Sequence, residues 1–350
     1  MTFRTSAAEL TQLAAGILRA ESVPADDAEL VADSLVRADF WGHQSHGVLR
    51  LPWYIARLRT GAAEATAQPE ILIDTGSLVL LDGREGLGQV VTERARTIAV
   101  ERARTHGAGI VAVRNSNHFG TAMYYTRRAA ADGCVAILTT NASPAMAPWG
   151  GREKRLGTNP WSIGAPWRDR AIALDIANTA VARGKIYLAQ QRGEAIPDYW
   201  ALDSAGDVTT DAAAAIAGTI LPMAGHKGYA ISFMMDVLSG ALTGSGVGTS
   251  VIGPYSPRGK SGAGHLLIAI DVAALGDREE YDARVDTIVR EATSTPLAGG
   301  HDRIYFPGEV EDRAEAAARE AGGVTLPSAT VSDLTALARE LDVPLPAGWS

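Results

Sequence analysis

The middle of the chain alternates short apolar runs with helical patterns, and this alternation limits the fold more than any other feature. Each run has the length and the apolar composition of a strand. The runs are SLVLLD (77–82), GIVAVR (109–114), CVAILTT (134–140), AIALDI (171–176) and LLIAID (266–271). Helical patterns at 89–105 and 121–132 separate the first three. The alternation predicts an α/β/α domain with a mixed sheet, in which part of the pairing is parallel.

Both ends of the chain have helical patterns. Near the N-terminus, Ser6 and Glu9 have the spacing of a capping box, and helical periodicity continues to residue 40. A third helix is predicted over 46–60, where Pro52 indicates either a kink or the true start of the helix. Further helices are predicted at 279–293, 311–321 and 331–341. We therefore predict a helical domain built from residues 1–70 and 279–350, beside an α/β domain of residues 71–278.

The segment that precedes the last strand has two contrasting parts. Residues 226–243 have the pattern of a largely buried helix, with Met234 and Met235 expected in the core. The following stretch, 244–264, is rich in Gly, Ser and Pro and predicts a mobile loop.

Composition excludes several classes of protein. The chain of 350 residues is 46% apolar and 21% charged, which is typical of globular domains. Its net charge of -8, with no basic run, argues against a nucleic-acid partner. The single cysteine, Cys134, lies in an apolar run and fits a reducing compartment. With no signal-peptide pattern and no long apolar stretch, we expect a cytoplasmic protein that does not cross a membrane.

The familiar nucleotide-binding motifs are missing. GPYSPRGKS (253–261) resembles a phosphate-binding loop, but it has one residue too many between its glycines and contains two prolines. GSGVG (244–248) follows a helix and not a strand, so it is a poor Rossmann fingerprint. If the chain binds a dinucleotide, it must use another architecture.

GHQSHGVLR (42–50) raises the question of a metal. His43 and His46 are three residues apart, a spacing that can chelate on a helix, and a metal-dependent hydrolase that uses this pair is one alternative function. Zinc requires three or four ligands, and His118 is the only further candidate that suggests itself. Because there is no Cys/His cluster, we predict no metal site.

A second interpretation of the same stretch is a site for a small carboxylate. His46, Arg50 and Tyr54 are four residues apart and would share one face of a helix. Arg offers a planar fork to a carboxylate, and His exchanges a proton near neutral pH. A solvated polar face explains the same spacing equally well.

Three other segments have polar residues where an α/β fold binds ligands. His118 follows a strand and precedes a helix, at the carboxyl edge of the predicted sheet. Thr158 and Asn159 belong to a loop rich in Gly and Pro. Lys227 begins a helix, where a phosphate would be favoured. Each also has a purely structural explanation, as a loop histidine, a shaped loop or a lysine at a helix start.

Taken together, these segments resemble the malate/L-lactate dehydrogenase family, a non-Rossmann group that includes ureidoglycolate and sulfolactate dehydrogenases and cyclic ketimine reductases. The matching pieces occur in family order over most of the chain. They are QSHGVLRLPWYIARLRTG (44–61), NSNHFGTAMYY (115–125), TNASPAMAPWGGREKRLGTNP (140–160), LDIANTAVARGKI (174–186), PMAGHKGYAISFMMDVLSGALTG (222–244), GHLLIAID (264–271) and IYFPGE (304–309).

The resemblance implies hydride transfer between NAD or NADP and C2 of a small 2-oxo or 2-hydroxy acid. It implies a non-Rossmann cofactor-binding α/β domain, a helical domain formed from both termini, and a homodimer with no nucleic-acid or membrane partner. The alternative within the family is reduction of a cyclic ketimine such as piperideine- or pyrroline-2-carboxylate. Many members have Asp before the SHG motif, where this chain has Gln44, so the choice of acid is open.

The resemblance also assigns roles to individual residues. His118 is favoured as the residue that exchanges the proton, with His46 second. The substrate-binding set is Ser45, Arg50, Tyr54, Thr158 and Asn159, and Arg50 would hold the carboxylate. The cofactor-binding set is His118, Phe119, Gly120, Asp175, Ile176, Ala177, Lys227, Pro307, Gly308 and Glu309.

Overall fold

A seven-stranded mixed sheet forms the centre of the molecule in the computed structural model, which describes residues 3–349. The strands are β1 (Phe3–Thr5), β2 (Glu70–Asp74), β3 (Leu78–Asp82), β4 (Ala108–Ser116), β5 (Cys134–Thr140), β6 (Trp161–Trp167), β7 (Arg170–Ile176), β8 (Ala201–Leu202), β9 (Thr219–Ile220), β10 (Ala263–Asp271) and β11 (Val324–Leu326). The large sheet has the order β2-β3-β4-β10-β5-β6-β7. Only β3 and β4 pair in parallel, and the other neighbours are antiparallel. The predicted mixed sheet is confirmed.

Helices cover the sheet and form both ends of the chain. The α-helices are α1 (Ala7–Ala20), α2 (Ala25–Phe40), α3 (Leu51–Arg59), α4 (Gly88–His106), α5 (Met123–Ala131), α6 (Arg183–Arg192), α7 (Ala212–Ala217), α8 (His226–Asp236), α9 (Arg278–Thr293), α10 (Glu309–Glu320) and α11 (Ser328–Glu340). In the part of the chain that the structure describes, no helix combines the length and apolarity that crossing a membrane requires.

The five predicted strands all occur, but β2 and β6 were not predicted. β6 reads WSIGAPW, and its glycine and proline interrupt the apolar run that marks a strand. Its residues are nonetheless buried alternately, as expected of a strand between two neighbours. All five residues of β2 are exposed at the edge of the sheet, so no buried face marks it in the sequence.

The predicted helix over 46–60 is shorter than expected. Two 3₁₀ turns, Gln44–His46 and Val48–Arg50, precede α3, which begins at Leu51 with Pro52 in its first turn. Pro52 therefore marks the start of the α-helix and not a kink within it, because proline fits the first turn, where no backbone donor is needed.

The prediction of a largely buried helix over 226–243 is wrong. α8 ends at Asp236 and continues as a π-helical turn, Val237–Ala241. Its buried residues are small or polar, and Met234, expected in the core, is 49% exposed. Apolar side chains of this helix, among them Phe233 and Met234, are therefore exposed at the surface of the chain.

Three buried clusters hold the fold together. The first joins α1, α2 and α3 with β11 and α11, so both ends of the chain share one core. The second lies under the large sheet and packs it against α4 and α5. The third, between α6, α7, β8 and β9, forms a small lobe. α9 lies on the sheet, where Asp286 accepts a 2.7 Å hydrogen bond from the Trp167 indole, whereas α10 packs on α2.

Candidate active site

A buried carboxylate fixes the turn that connects α2 to α3. Asp39, next to the end of α2, accepts the backbone N–H of Val48 at 2.9 Å. Gly47 lies so close to it that a Cβ there would be 2.2 Å from the Asp39 Cγ, which explains why the position needs glycine. His46 and Arg50 therefore lie on two tight turns and not on one helix, and Arg50 Nε folds back to donate to the Ser45 carbonyl at 2.6 Å.

His46, Tyr54 and His118 come together as the sequence predicted, although through a different local structure. The His46 and His118 rings are stacked, with centroids 5.6 Å apart and planes 17° from parallel. The Tyr54 hydroxyl is 2.7 Å from His118 Nδ1, and the Gly120 N–H donates to the same nitrogen at 3.3 Å. His46 Nδ1 is 2.9 Å from the Ser45 hydroxyl. Each ring is thus held through Nδ1, and Nε2 is left to meet a ligand.

Burial and a nearby cation keep both histidines neutral. Burial, followed by the positive charge of Arg50, lowers the pKa of His46 to about 3. The same two causes hold the pKa of His118 well below its ordinary value. Burial raises the pKa of Tyr54 to about 12, so the phenol keeps its proton. At neutral pH the site contains two neutral imidazoles and a neutral phenol beside one guanidinium.

Arg50 is a cation without an anion. Its guanidinium stacks on the Trp53 ring at 4.4 Å from the ring centroid, and burial lowers its pKa. Within residues 3–349 no acidic side chain forms an ion pair with it, and Nε is the only one of its nitrogens that makes a hydrogen bond. A partly buried guanidinium with two unused terminal nitrogens is suited to a carboxylate in bidentate geometry.

The Thr158–Asn159 pair lies on the loop that ends at β6. Asn159 is fully buried, and its amide is occupied within the protein, accepting from the Ala142 N–H and donating to the Ser232 carbonyl, both at 2.9 Å. Asn159 thereby fastens the loop to α8. Thr158, which is half-buried, is the member of the pair that can face a ligand.

The predicted cofactor segments converge on β7. The Asp175 carboxylate accepts the N–H of Met123 at 2.9 Å, which joins β7 to the start of α5, directly after Phe119 and Gly120. The Ala173 N–H donates to the Pro307 carbonyl at 3.1 Å. Arg127 of α5 donates to the Gly308 carbonyl at 2.9 Å. Residues 118–123, 173–177 and 307–309, far apart in sequence, therefore form one surface.

Some of the predicted cofactor-binding residues have buried side chains that contact other parts of the protein. Phe119 is 3% exposed and packs edge-on against Tyr125 and His265. Glu309 is buried at the start of α10 and is ion-paired with Arg303. Ile176 closes β7 opposite Trp161, and Ala177 follows it. These side chains shape the surface, whereas Gly120, with φ 83°, needs glycine for its backbone conformation.

The start of α8 fits a phosphate. No side chain caps this helix, and Lys227 is exposed in its first turn. A Cβ at Gly228 would be 2.9 Å from the Asn178 carbonyl oxygen, which places the helix start close to the residues that follow β7. Uncapped N–H groups together with a lysine favour an anion. A groove of about 810 Å³ adjoins this point, lined among others by Trp149, Tyr199 and Met223.

His43 and Gln44 connect the SHG turn to the C-terminal part of the chain. His43 Nε2 lies 3.2 Å from the Glu311 carboxylate of α10. The Gln44 amide donates to the Thr325 carbonyl of β11 at 3.0 Å. Among the residues described, no group of three or more His, Cys, Asp or Glu side chains is arranged to hold a metal ion.

Sequence reasoning missed four polar or aromatic neighbours of the site. Asp39 fixes the SHG turn, Trp53 supports Arg50, Gln89 lies beside Tyr54, and His265 packs behind Phe119. Gln89 had a weak signal, since it is a polar residue after a glycine at the start of a helix whose buried residues are mostly small or apolar. The others depend on contacts between distant segments.

Known proteins resemble the chain over nearly its whole length. The profile of the malate/L-lactate dehydrogenase family matches residues 5–335. L-sulfolactate dehydrogenase of Methanothermobacter thermautotrophicus is 39% identical, covering 98% of this chain and 98% of that protein. (2R)-3-sulfolactate dehydrogenase (NADP(+)) of Chromohalobacter salexigens is 37% identical, covering 97% and 99%.

A solved structure supports the same relationship. Sulfolactate dehydrogenase from Methanocaldococcus jannaschii superposes with a TM-score of 0.92 at 36% identity, covering 98% of each chain. The predicted fold class and family resemblance are therefore confirmed, and the chain belongs to the malate/L-lactate dehydrogenase family.

Proposed function

We propose that this protein transfers a hydride between NAD or NADP and C2 of a small 2-oxo or 2-hydroxy acid. It is an NAD(P)-dependent dehydrogenase that acts on the CH–OH group of such acids, as the names of its relatives support. The observation that carries the proposal is Arg50, a partly buried guanidinium with no acidic partner in the described chain, next to two neutral histidines.

Arg50 positions the substrate. Its two terminal nitrogens take the carboxylate in bidentate geometry, and stacking on Trp53 keeps the guanidinium plane fixed. A carboxylate held at this point directs the neighbouring C2 oxygen toward the imidazoles of His46 and His118. Such positioning lowers the activation free energy by several kcal/mol, because the substrate loses its orientational freedom on binding and not in the reaction step.

The hydrogen bonds of the two histidines favour different roles. The Gly120 N–H, which can only donate, lies 3.3 Å from His118 Nδ1 and favours an acceptor there, so we assign the proton of the neutral ring to Nε2. We assign this Nε2–H to the C2 oxygen, which it polarises. His46 is held by the Ser45 hydroxyl, which can donate or accept, so His46 can change its protonation state during turnover. We therefore assign the proton exchange to His46, which reverses the order that the sequence favoured.

Substrate binding adjusts the basicity of the site. In the free enzyme burial and, after it, the Arg50 charge lower the pKa of both histidines. A bound carboxylate neutralises that charge, so the histidine pKa rises only when the substrate is in place. During oxidation, His46 then takes the hydroxyl proton as the C2 hydrogen leaves as hydride.

The cofactor belongs on the surface formed by residues 118–120, 175–177 and 307–309, with Lys227 at the start of α8 on the phosphates. The uncapped helix start beside β7 fits such an anion. When bound, the nicotinamide ring supplies the hydride chemistry, while the protein contributes orientation and charge.

The proposal includes a homodimer. The outer face of α8 and its π-helical continuation carries Phe233, Met234, Val237 and Leu242, each at least 36% exposed. A second copy of the chain would cover this apolar face. Met234→Asp is expected to give monomers in light scattering coupled to size exclusion. A stable dimer in this variant would place the contact elsewhere.

Two further parts of the proposal rest on the sequence. We propose a helical domain of residues 1–70 and 279–350 beside an α/β domain of residues 71–278, with α9 of the first domain packed on the sheet of the second. Limited proteolysis should cut first near those boundaries. We also propose a cytoplasmic location, which fits the single cysteine and is tested by cell fractionation.

A substrate panel tests the reaction. Purified protein is mixed with malate, lactate, sulfolactate and ureidoglycolate, each with NAD and NADP, and absorbance is followed at 340 nm. The 2-oxo acids with reduced cofactor give the reverse direction, and piperideine-2-carboxylate tests the ketimine alternative. Turnover of a hydroxy acid supports the proposal. Turnover of the imine acid alone would contradict the proposal and support the ketimine reductase. Stoichiometric bound zinc together with chelator-sensitive hydrolysis would support the metal-dependent hydrolase.

A further inference from the structure

The start of α4 lies against the backbone that carries His118. A Cβ at Gly88 would be 2.3 Å from the Asn117 carbonyl oxygen and 2.4 Å from that of His118, so only glycine permits this approach. The contact fixes the next residue, Gln89, beside the site. A Cβ at Gly120 would lie 4.0 Å from the Gln89 Nε2.

Gln89 is a fully buried amide without a hydrogen-bond partner. It is 0% exposed, and within residues 3–349 neither Oε1 nor Nε2 makes a hydrogen bond. Burying both groups unpaired is unfavourable, so an apolar side chain of the same size would suit the fold better. Its neighbour is Tyr54, and the amide is near enough to lower the pKa of that phenol, as a donor to the phenolic oxygen would.

Tyr54 has one proton, and the His118 ring requires it. The Tyr54 hydroxyl is 2.7 Å from His118 Nδ1, which also accepts the Gly120 N–H. A hydroxyl that donates to Nδ1 still has lone pairs to fill. Because Tyr54 is only 3% exposed, solvent is a poor source of a donor.

We propose that Gln89 is a positioning residue whose Nε2–H, unpaired in the structure, turns to the Tyr54 oxygen, donates to it and so directs the phenolic proton to His118 Nδ1. The chain of donors Gln89, Tyr54, His118 keeps the imidazole proton on Nε2, where it meets the C2 oxygen. This inference rests on the proposed function only for its kinetic consequence, because the tautomer of His118 is a property of the free protein.

A double-mutant cycle with Tyr54→Phe tests the chain of donors. Gln89→Leu is expected to lower kcat about tenfold through misorientation of His118, with the affinity for reduced cofactor unchanged. In the Tyr54→Phe background the same change should have less than a twofold effect, because the chain is already broken. The melting temperature of Gln89→Leu should equal or exceed that of the wild type. Thr92→Val, which removes another buried unpaired group one turn along α4, is the matched control and should keep wild-type kcat.

Nitrogen-15 NMR of labelled histidine tests the tautomer without turnover, with His118→Ala to assign the signal. The wild type should show His118 protonated on Nε2, and Gln89→Leu should show a mixture of tautomers. Additive kinetic effects of Gln89→Leu and Tyr54→Phe, or an unchanged tautomer, would overturn the inference. A lower melting temperature of Gln89→Leu together with lower kcat would make Gln89 merely structural. Absence of turnover by the wild type on every acid would remove the proposed function and leave the NMR experiment valid.

Discussion

Arg50 and Arg57 lie two helical turns apart, and their guanidinium groups have opposite surroundings. Arg57 is 2% exposed and donates to the Ser256, Ala62 and Gly259 carbonyls and to the Asn117 side chain, at 2.7 to 3.2 Å. It thereby ties the loop after the π-helical turn to α3. Arg50 makes one hydrogen bond, through Nε, and leaves its terminal nitrogens unused. Of two arginines on one stretch of chain, Arg57 is thus saturated within the protein, whereas Arg50 has unused donors that can bind the proposed carboxylate.

His265 and His118, both next to Phe119, also differ in how many of their hydrogen-bonding groups are used within the protein. His265 is bonded through both ring nitrogens, to the Thr140 hydroxyl at 2.8 Å and the Ser116 hydroxyl at 2.7 Å. His118 is bonded only through Nδ1. Burial lowers the pKa of both rings, so a shifted pKa does not distinguish them. Unused hydrogen-bonding groups, and not a shifted pKa, therefore distinguish His118 and Arg50 of the candidate site from His265 and Arg57.

The arginine pair gives the largest expected effect. Arg50→Ala should lower kcat/KM for the hydroxy acid by about 10³-fold, equivalent to roughly 4 kcal/mol, because a bound carboxylate loses its only buried partner. The melting temperature and the affinity for reduced cofactor should stay near wild type. Steady-state kinetics, fluorescence titration with reduced cofactor and calorimetry measure these three quantities.

Arg57→Ala should give the opposite result, a lower melting temperature with kcat/KM of the remaining folded protein nearly unchanged. The comparison between the two arginines fails if Arg50→Ala unfolds the protein or Arg57→Ala abolishes activity at wild-type stability. Arg50→Lys should recover only part of the loss, because an ammonium does not form the planar fork.

Substitution of the two histidines should have the second-largest effect on activity. His46→Ala and His118→Ala should each lower kcat about 100-fold or more, the usual contribution of a positioned acid–base group. Free imidazole should restore part of the activity of His46→Ala, which loses the exchanging proton, and little of that of His118→Ala. Turnover within tenfold of wild type in both variants would remove the proposed acid–base site.

The pH dependence of kcat/KM sharpens the contrast with an ordinary histidine. Because His46 has a pKa of about 3, it stays neutral as the pH falls from 8 to 5, and kcat/KM for oxidation should stay nearly constant. A histidine with an ordinary pKa would lower kcat/KM roughly 30-fold at pH 5. An inflection near pH 7 that disappears in Asp39→Asn would belong to Asp39, whose pKa burial raises to about 7. An acid limb at pH 6.5 in both proteins would contradict the neutral-histidine site.

Much of the fold could be predicted from the sequence, because apolar periodicity marks the elements that are buried on one face. The strands at 109–114 and 134–140 and the terminal helices were found in this way. β2 was missed because every residue in it is exposed. The burial of α8 was predicted wrongly because its apolar residues Phe233 and Met234 are exposed in the structure, and an apolar helical pattern does not show in sequence whether its apolar face is buried.

The structure brings His46, Tyr54 and His118 together, but the sequence did not show the local geometry that does so. His46, Arg50 and Tyr54 were grouped by helical spacing, yet the buried carboxylate of Asp39 shapes two 3₁₀ turns there. The partners of Asn159 are distant in sequence, so no local pattern could show that its amide is saturated whereas the amide of Gln89 is unpaired among the described residues.

The smallest expected effect concerns His265 and stability. Its pKa is about 3 in the folded state, so the folded protein leaves it neutral while the unfolded chain takes up a proton below about pH 6.5. Stability is therefore lost as the pH falls from 6.5 toward 3. Between pH 7 and pH 5 this loss amounts to about 2 kcal/mol for one fully buried histidine.

Urea denaturation of His265→Asn at the two pH values measures this contribution. The variant should be less stable than wild type at both, but its free energy of unfolding should fall less between pH 7 and pH 5, by roughly 1–2 kcal/mol. Asp39, whose raised pKa acts in the opposite direction, is present in both proteins and cancels in the difference. Equal pH dependence of the two proteins would mean that His265 titrates normally, so that two saturated ring nitrogens do not suffice to keep a buried histidine neutral.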